Sequence, residues 1–303
     1  MIKERAQLLA KIREFFATRN ILEVETPLLD YSTIPDPNIH SFVAKYGRKN
    51  LYLQTSPEFA MKRLLAKGTG SIYQICKAFR NEEIGQQHNP EFTILEWYHM
   101  GFDHHTLMDE MDELLHFILG AKPAQRFSYQ QIFMQYLGID PLASSVEELQ
   151  QCALKNGLNN IPDLTYDDWL NLLLTHVIEP HLGQNQPTFI YDYPASQAAL
   201  ARISKYDSRV AERFEVYIKG LEIANGFHEL NNSQEQRQRF EQDLHQRRAL
   251  GLAEIPIDEQ FLQALDNGFP DCAGVAVGID RLLMLLLDTR SIQDVIMFPL
   301  DIL

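Results

Sequence analysis

Phe79-Arg80-Asn81-Glu82-Glu83, a short polar loop, and then His88-Asn89-Pro90-Glu91-Phe92-Thr93-Ile94-Leu95-Glu96-Trp97-Tyr98 form the most informative stretch of this chain. Residues 72–80 and 92–98 are rich in β-branched and aromatic side chains, which predicts two strands. Gly85, Asn89 and Pro90 predict the turn that joins them. Side chains alternate across a strand with period two. Arg80 and Glu82 therefore fall on one face of the first strand, and Phe92, Glu96 and Tyr98 on one face of the second. A guanidinium offers a planar fork of donors to a phosphate or carboxylate. A carboxylate beside it suits an amine. A surface hairpin laced with charge pairs has the same composition, so the rest of the chain must decide between the two.

Two further pieces do so. Gly274-Val275-Ala276-Val277-Gly278-Ile279-Asp280-Arg281, followed by a leucine-rich run to Leu287, reads as a strand entering a core helix. Its small residues let a ligand approach the backbone, because glycine has no Cβ. Ile21-Leu22-Glu23-Val24-Glu25-Thr26-Pro27-Leu28-Leu29 follows an amphipathic opening helix. Alone, each piece is ordinary. In this order, with the hairpin between them, they resemble motifs 1, 2 and 3 of the class II aminoacyl-tRNA synthetases, and the His-Asn-Pro-Glu-Phe-Thr segment points to the lysine branch. The resemblance implies an α+β fold, an antiparallel sheet flanked by helices. It implies one catalytic domain over 1–303 with a mainly helical insertion at about 104–182, and a homodimer built through motif 1.

Composition agrees with a soluble catalytic chain. The 303 residues, 45% hydrophobic, are enough for a large core. The apolar runs are shorter than the roughly 18 residues that span a bilayer, so no membrane association is expected. No basic leader with a cleavage site opens the sequence, and a cytoplasmic home is expected. Cys76, Cys152 and Cys272 are widely spaced and form no Cys-x-x-Cys pair, which argues against a disulfide framework or zinc site. His104-His105, with His99 nearby, reads as a solvated surface cluster, since no local Cys or carboxylate completes a familiar ligand spacing. The net charge is −14. A polyanionic partner is usually met by a basic surface, so a long tRNA footprint is not expected.

Along the chain, residues 1–19 carry Leu8, Leu9, Ile12, Phe15 and Phe16 at helical spacing. Residues 30–50 read as a loop and 51–55 as a short strand. Ser56-Pro57 predicts a helix start with serine as N-cap. Gly68-Thr69-Gly70 reads as a turn. Residues 104–182 are mostly helical by pattern, and 188–230 return to strand character. Residues 233–251 predict a polar helix capped by Ser233 and Gln236. The lysine branch normally carries an anticodon-binding barrel before motif 1. Here motif 1 begins within the first residues, so the expectation is a catalytic half alone. With Pro194-Ala195-Ser196-Gln197 and the segment 202–232, this narrows the resemblance to the bacterial ligases that attach lysine to elongation factor P.

The resemblance assigns the site. Arg80 and Glu82 contact ATP, with Arg80 on the α-phosphate. His88, Asn89 and Phe92 serve the adenine and triphosphate side, with Phe92 stacked on adenine. Gly278 and Arg281 complete the nucleotide pocket, with Arg281 towards the γ-phosphate and Ile223 among the ATP contacts. Arg80 and Arg281 are the catalytic pair. Glu215 and Glu222, on strands joined by a turn at Lys219-Gly220, hold Mg²⁺ with ATP; hard cations take oxygen ligands. Ser56, Glu58, Glu96, Tyr98, Asn225, Phe227 and Glu229 receive the amino-acid substrate. Ala276 stands where true lysyl-tRNA synthetases carry the middle glycine of motif 3. Its methyl is read as crowding an α-amino group and admitting a β-amino group, with neutral packing as the alternative. The implied reaction is ATP-dependent activation of (R)-β-lysine and transfer to a lysine side chain of elongation factor P. A tRNA ligase with a separate anticodon-binding partner and a non-catalytic binding paralogue are the competing readings. The retained Arg80, Glu82, Glu215, Glu222 and Arg281 argue against the last.

Overall fold

The computed structural model describes residues 1–81, 84–159, 161 and 164–300. It divides into two units, Met1–Phe102 with Leu230–Leu303, and Asp103–Glu229. The first begins with α1 (Ile2–Ala17), which buries Leu8, Ile12, Phe15 and Phe16, the stripe its spacing predicts. Then come β1 (Leu22–Glu23), β2 (Leu29–Asp30), β3 (Val43–Tyr46), β4 (Lys49–Leu53), α2 (Glu58–Leu65), β5 (Ile72–Phe79) and β6 (Glu91–Met100). The second unit holds α3 (His104–Leu119), β7 (Gln125–Ser128), α4 (Tyr129–Leu137), α5 (Val146–Lys155), α6 (Tyr166–Leu173), β8 (Thr188–Pro194), β9 (Val210–Ile218) and β10 (Leu221–His228). The chain returns to the first unit through α7 (Ser233–Ala249), α8 (Glu259–Asp266), β11 (Cys272–Gly278) and α9 (Ile279–Leu286). The fold is α+β. Among the described residues, no helix is long and apolar enough to cross a membrane.

In the first unit β6 is central, antiparallel to β5 on one side and to β11 on the other. Phe16 of α1 stacks on Tyr73 at 4.4 Å and meets the edge of Trp97 at 5.3 Å, seating the helix on this sheet. In the second unit β9 lies antiparallel between β8 and β10. Tyr129, Phe133, Trp169, Leu170, Tyr193 and Tyr217 form a core that joins the helices to these strands.

Three local expectations need correction. Residues 30–50 are not all loop: β3 and β4 pair antiparallel across a turn at Gly47, whose φ of +61° favours glycine. The polar, exposed outer residues of that hairpin hide its alternation. Pro57, not Ser56, is the N-cap of α2, though Ser56 Oγ still accepts from Glu58 N at 3.1 Å. Asn232, not Ser233, caps α7, accepting from Glu235 N, while Ser233 reaches Asp266 of α8.

Candidate active site

The expected hairpin is present. β5 and β6 pair with Gln74 opposite Glu96 and Ala78 opposite Phe92. Arg80 lies one residue beyond β5, where its backbone N–H donates to Pro90 O at 2.9 Å. Its guanidinium carbon sits 5.1 Å from the centre of the Phe92 ring, a cation–π arrangement. Glu82 lies outside the described residues. His88 is exposed at the hairpin turn, and its Nε2 is 2.8 Å from Arg281 Nη2 in the first turn of α9. Arginine only donates, so Nε2 accepts and the imidazole proton sits on Nδ1. Asn89 folds back on the loop, donating to Glu91 O at 2.6 Å.

Glu96 is buried in mid-strand. Ser56 Oγ and Tyr98 OH each donate to it at 2.6 Å. Burial first, then the nearby charge of Glu58, pushes its carboxyl up to about 7, against the two hydroxyls and Lys62. Glu58 in turn accepts from Lys62 Nζ at 2.6 Å, and Lys62 is only 1% exposed. A fully buried lysine beside two carboxylates shows that this corner already accommodates an ammonium. Lys62 was legible as the i+4 partner of Glu58 but was missed. β11 continues the sheet with Ala276 directly opposite Glu96. Opposed residues share a face with Cβ atoms about 4.5–5.5 Å apart, so the Ala276 methyl borders the Glu96 carboxylate.

The raised Glu96 carries a pH consequence. Between the ordinary value of 4.5 and about 7 the folded chain holds a proton that the unfolded chain has released. Stability therefore falls as pH rises through that window. Glu179 and Asp243, both also pushed up to about 7 chiefly by burial, act in the same sense. Thermal unfolding from pH 4.5 to 7.5 should show wild type losing stability more steeply than Glu96→Gln. Parallel curves would mean that Glu96 is ionised throughout.

In the second unit, Lys219 and Gly220 make a two-residue turn with φ of +53° and +73°, as the expected hairpin requires. Glu222 pairs with Tyr217, and a bulge at Ile223 then brings Asn225 opposite Glu215 and Phe227 opposite Arg213. The extra residue puts Glu222, Asn225 and Phe227 on one face with Glu215 despite their odd spacing. Ile223 itself is buried. Glu215 accepts from Tyr193 OH at 2.6 Å, Tyr217 OH at 2.5 Å and Arg213 Nη2 at 2.5 Å. Arg213 also donates to Asn225 Oδ1 at 3.2 Å. It stands two residues before Glu215 in the same strand, and sequence reasoning assigned it nothing. Glu229 is buried, and its carbonyl accepts from Arg202 Nε at 2.6 Å.

Asp280 was also missed. It is buried between motif elements, pairs with Arg5 of α1, and accepts from Thr93 N at 2.6 Å. The reading of His104 as a solvated surface residue is wrong. It is 5% exposed and packs with residues far away in sequence.

A family model for class II tRNA synthetases of the D, K and N type matches residues 1–302. The chain belongs to that family. Its relatives in the class II synthetase family include proteins named elongation factor P–(R)-β-lysine ligase. That of Photobacterium profundum is 53% identical, over 99% of this chain and 96% of its own length. Those of Vibrio atlanticus and Salmonella typhi are each 53% identical, over 98% of this chain and 95% and 94% of their own lengths.

Proposed function

We propose that this protein activates a lysine, preferably (R)-β-lysine, with ATP and transfers the lysyl group to a lysine side chain of elongation factor P. The observation that carries this reading is Glu96: a buried carboxylate held by Ser56 and Tyr98, facing Ala276, in a chain 53% identical to ligases of that name. An ionised Glu96 with Glu58 and Glu229 supplies the anionic partners that a desolvated ammonium needs. Asn225 and Phe227 complete substrate recognition. Arg80, Glu82, His88, Asn89, Phe92 and Ile223 serve ATP with Arg281 and Gly278. Gly278 has a φ of −73°, and an added Cβ would meet only ordinary contacts at 3.5 Å. The fold does not demand glycine there, which supports close approach by the nucleotide.

The substrate carboxylate attacks the α-phosphorus in line. A carbon-bound oxygen joins phosphorus, the bond to pyrophosphate breaks, and an acyl-adenylate forms. The acceptor amine then displaces AMP. Positioning and charge neutralisation by Arg80 and Arg281 dominate both binding and rate. Glu215 and Glu222 fit Mg²⁺. Both are oxygen donors, and their charges help hold the neighbouring Glu179 carboxyl at about 7, after burial, as expected where negative charge awaits a cation. Glu215 spends three hydrogen bonds on Arg213, Tyr193 and Tyr217, leaving room for one more partner among about four lone-pair sites. When bound there, Mg²⁺ neutralises triphosphate charge. We also place the enzyme in the cytoplasm, with its acceptor, as a single catalytic domain and a homodimer. Exposed Leu22, Leu28, Leu29, Tyr31, Val43 and Tyr46 around motif 1 support an apolar mating face.

The test is pyrophosphate exchange with α-lysine and both β-lysine enantiomers, then transfer to elongation factor P or to lysine tRNA. Fast exchange with (R)-β-lysine and labelling of the protein are expected. Efficient charging of tRNA at physiological salt would replace this reading with a tRNA ligase. Ala276→Gly should shift kcat/KM towards α-lysine over β-lysine by about ten- to two-hundred-fold, the worth of one methylene-sized difference in a pocket. An unchanged ratio would make Ala276 a packing residue.

A further inference from the structure

The reverse face of the β9–β10 hairpin carries a second constellation. Glu212 and His228 stand on the face opposite Glu215 and Asn225, by the alternation of both strands. His228 Nδ1 and Glu212 Oε2 are 2.5 Å apart. His104, at the start of α3, sets its Nε2 3.2 Å from Asp192 Oδ1. One ligand atom from each of His104, Glu212 and His228 lies within 4.8 Å of the other two. The His104 ring is buried, and its Nδ1 has no hydrogen-bond partner among the described residues. Asp192 sits at the register break of β8 with a φ of +58°, a strained position for a residue other than glycine.

Proton accounting gives these contacts a direction. An ionised Asp192 can only accept, so it keeps the imidazole proton of His104 on Nε2. That leaves Nδ1 as a bare lone pair in a buried setting, which is costly unless something engages it. A carboxylate that orients a histidine in this way is the usual support of a metal-ligating imidazole. We propose that His104, Glu212 and His228 form a binding site for a divalent transition metal of the zinc type, with Asp192 positioning His104. Two neutral imidazoles and one carboxylate are a zinc donor set that leaves a fourth position for water. The charges of Glu212 and Asp192 balance a dication. Nitrogen donors favour such ions over Mg²⁺, so this site is separate from the nucleotide metal. Bonds of about 2.0–2.2 Å place ligand atoms about 3.4 Å from one another, so His104 would draw in and the 2.5 Å contact of His228 with Glu212 would open, both by side-chain rotation. Binding displaces the proton shared by His228 and Glu212 into solvent. The ion would clip the first turn of α3 to β9 and β10, against which that helix packs.

The whole chain, stripped with EDTA and dialysed, is titrated with Zn²⁺ and, separately, with Co²⁺. One equivalent of Zn²⁺ per chain with a Kd below about 1 μM is expected, with the intense visible absorption of tetrahedral Co²⁺. His104→Gln, Glu212→Gln and His228→Gln should each weaken binding at least about tenfold. His245→Gln, on an exposed helical surface, should leave it unchanged. Zn²⁺ should raise the Tm of wild type but not of Glu212→Gln. Equal retention of Zn²⁺ by wild type and by folded Glu212→Gln and His228→Gln would overturn the proposal and assign the metal to surface histidines. Absence of tetrahedral Co²⁺ bands in wild type, a measurement that needs no variant to fold, would overturn it too and leave a purely hydrogen-bonded network.

Discussion

Arg80→Ala is expected to lower lysine-dependent pyrophosphate exchange by about a hundredfold or more while the chain remains folded. Arg80 lies one residue beyond β5 with its guanidinium over the Phe92 ring, an arrangement that would hold it ready for the nucleotide in the proposed reaction. A preorganised donor aimed at charge that develops in the transition state is worth roughly 3 kcal/mol, or about two orders of magnitude. Arg80→Lys should rescue little, because a point charge cannot reproduce the fork. The loss should appear in kcat more than in the KM for lysine, since Glu96 and Ser56 are untouched. Near-normal exchange by folded Arg80→Ala would remove this residue from the chemistry.

The second large effect concerns stability. Asp280→Ala should lower the unfolding free energy by about 3 kcal/mol, the low end of what removing one member of a fully buried ion pair costs, because Asp280 is buried and Arg5 is only partly so. Asp280 links Arg5 of α1, the Thr93 amide of β6 and its own helix α9. Its loss leaves the buried Thr93 N–H without its acceptor and removes the charge partner of Arg5. Asp280→Asn, which still offers an oxygen to Thr93, should lose less. Urea unfolding followed by circular dichroism measures both. A change under about 1 kcal/mol for the alanine variant would show that water or Val295 O, which Arg5 already reaches at 2.8 Å, replaces the carboxylate.

Short-range signals were legible. The β5–β6 hairpin, the Lys219-Gly220 turn and the stripe of α1 depend on periodicity and turn chemistry within about ten residues. Arg80, Phe92, Glu96 and Tyr98 were placed in one hairpin because alternation locates side chains without tertiary information. Boundaries slipped by one residue at Ser56 and Ser233, where neighbouring polar residues compete to cap the same N–H groups. Longer-range facts were hidden. Nothing local to His104 announces Glu212 or His228, more than a hundred residues away. Asp280 looked like one letter of a motif, since its role depends on Arg5 arriving from the other end of the chain. Glu179 had no signal at all, because only the folded chain places it near the charges of Glu215 and Glu222.

The bulge at Ile223 works as a phase shifter. Upstream of it, even-numbered residues of β10 face Glu215; downstream, odd-numbered ones do. Deleting that single residue would restore an unbroken two-residue rhythm. With the Lys219-Gly220 turn unchanged, the residues now numbered 225 and 227 would keep Glu215 and Arg213 opposite them, because the bulged residue has no partner of its own; keeping Ile223 within a regular ladder would instead turn both to the other face. Anyone grafting these side chains at their native spacing onto a regular hairpin would need to carry the irregularity along with them. Spacing in the chain and spacing on the sheet are different rulers here, and the place of the Asn225 carboxamide is set by the second.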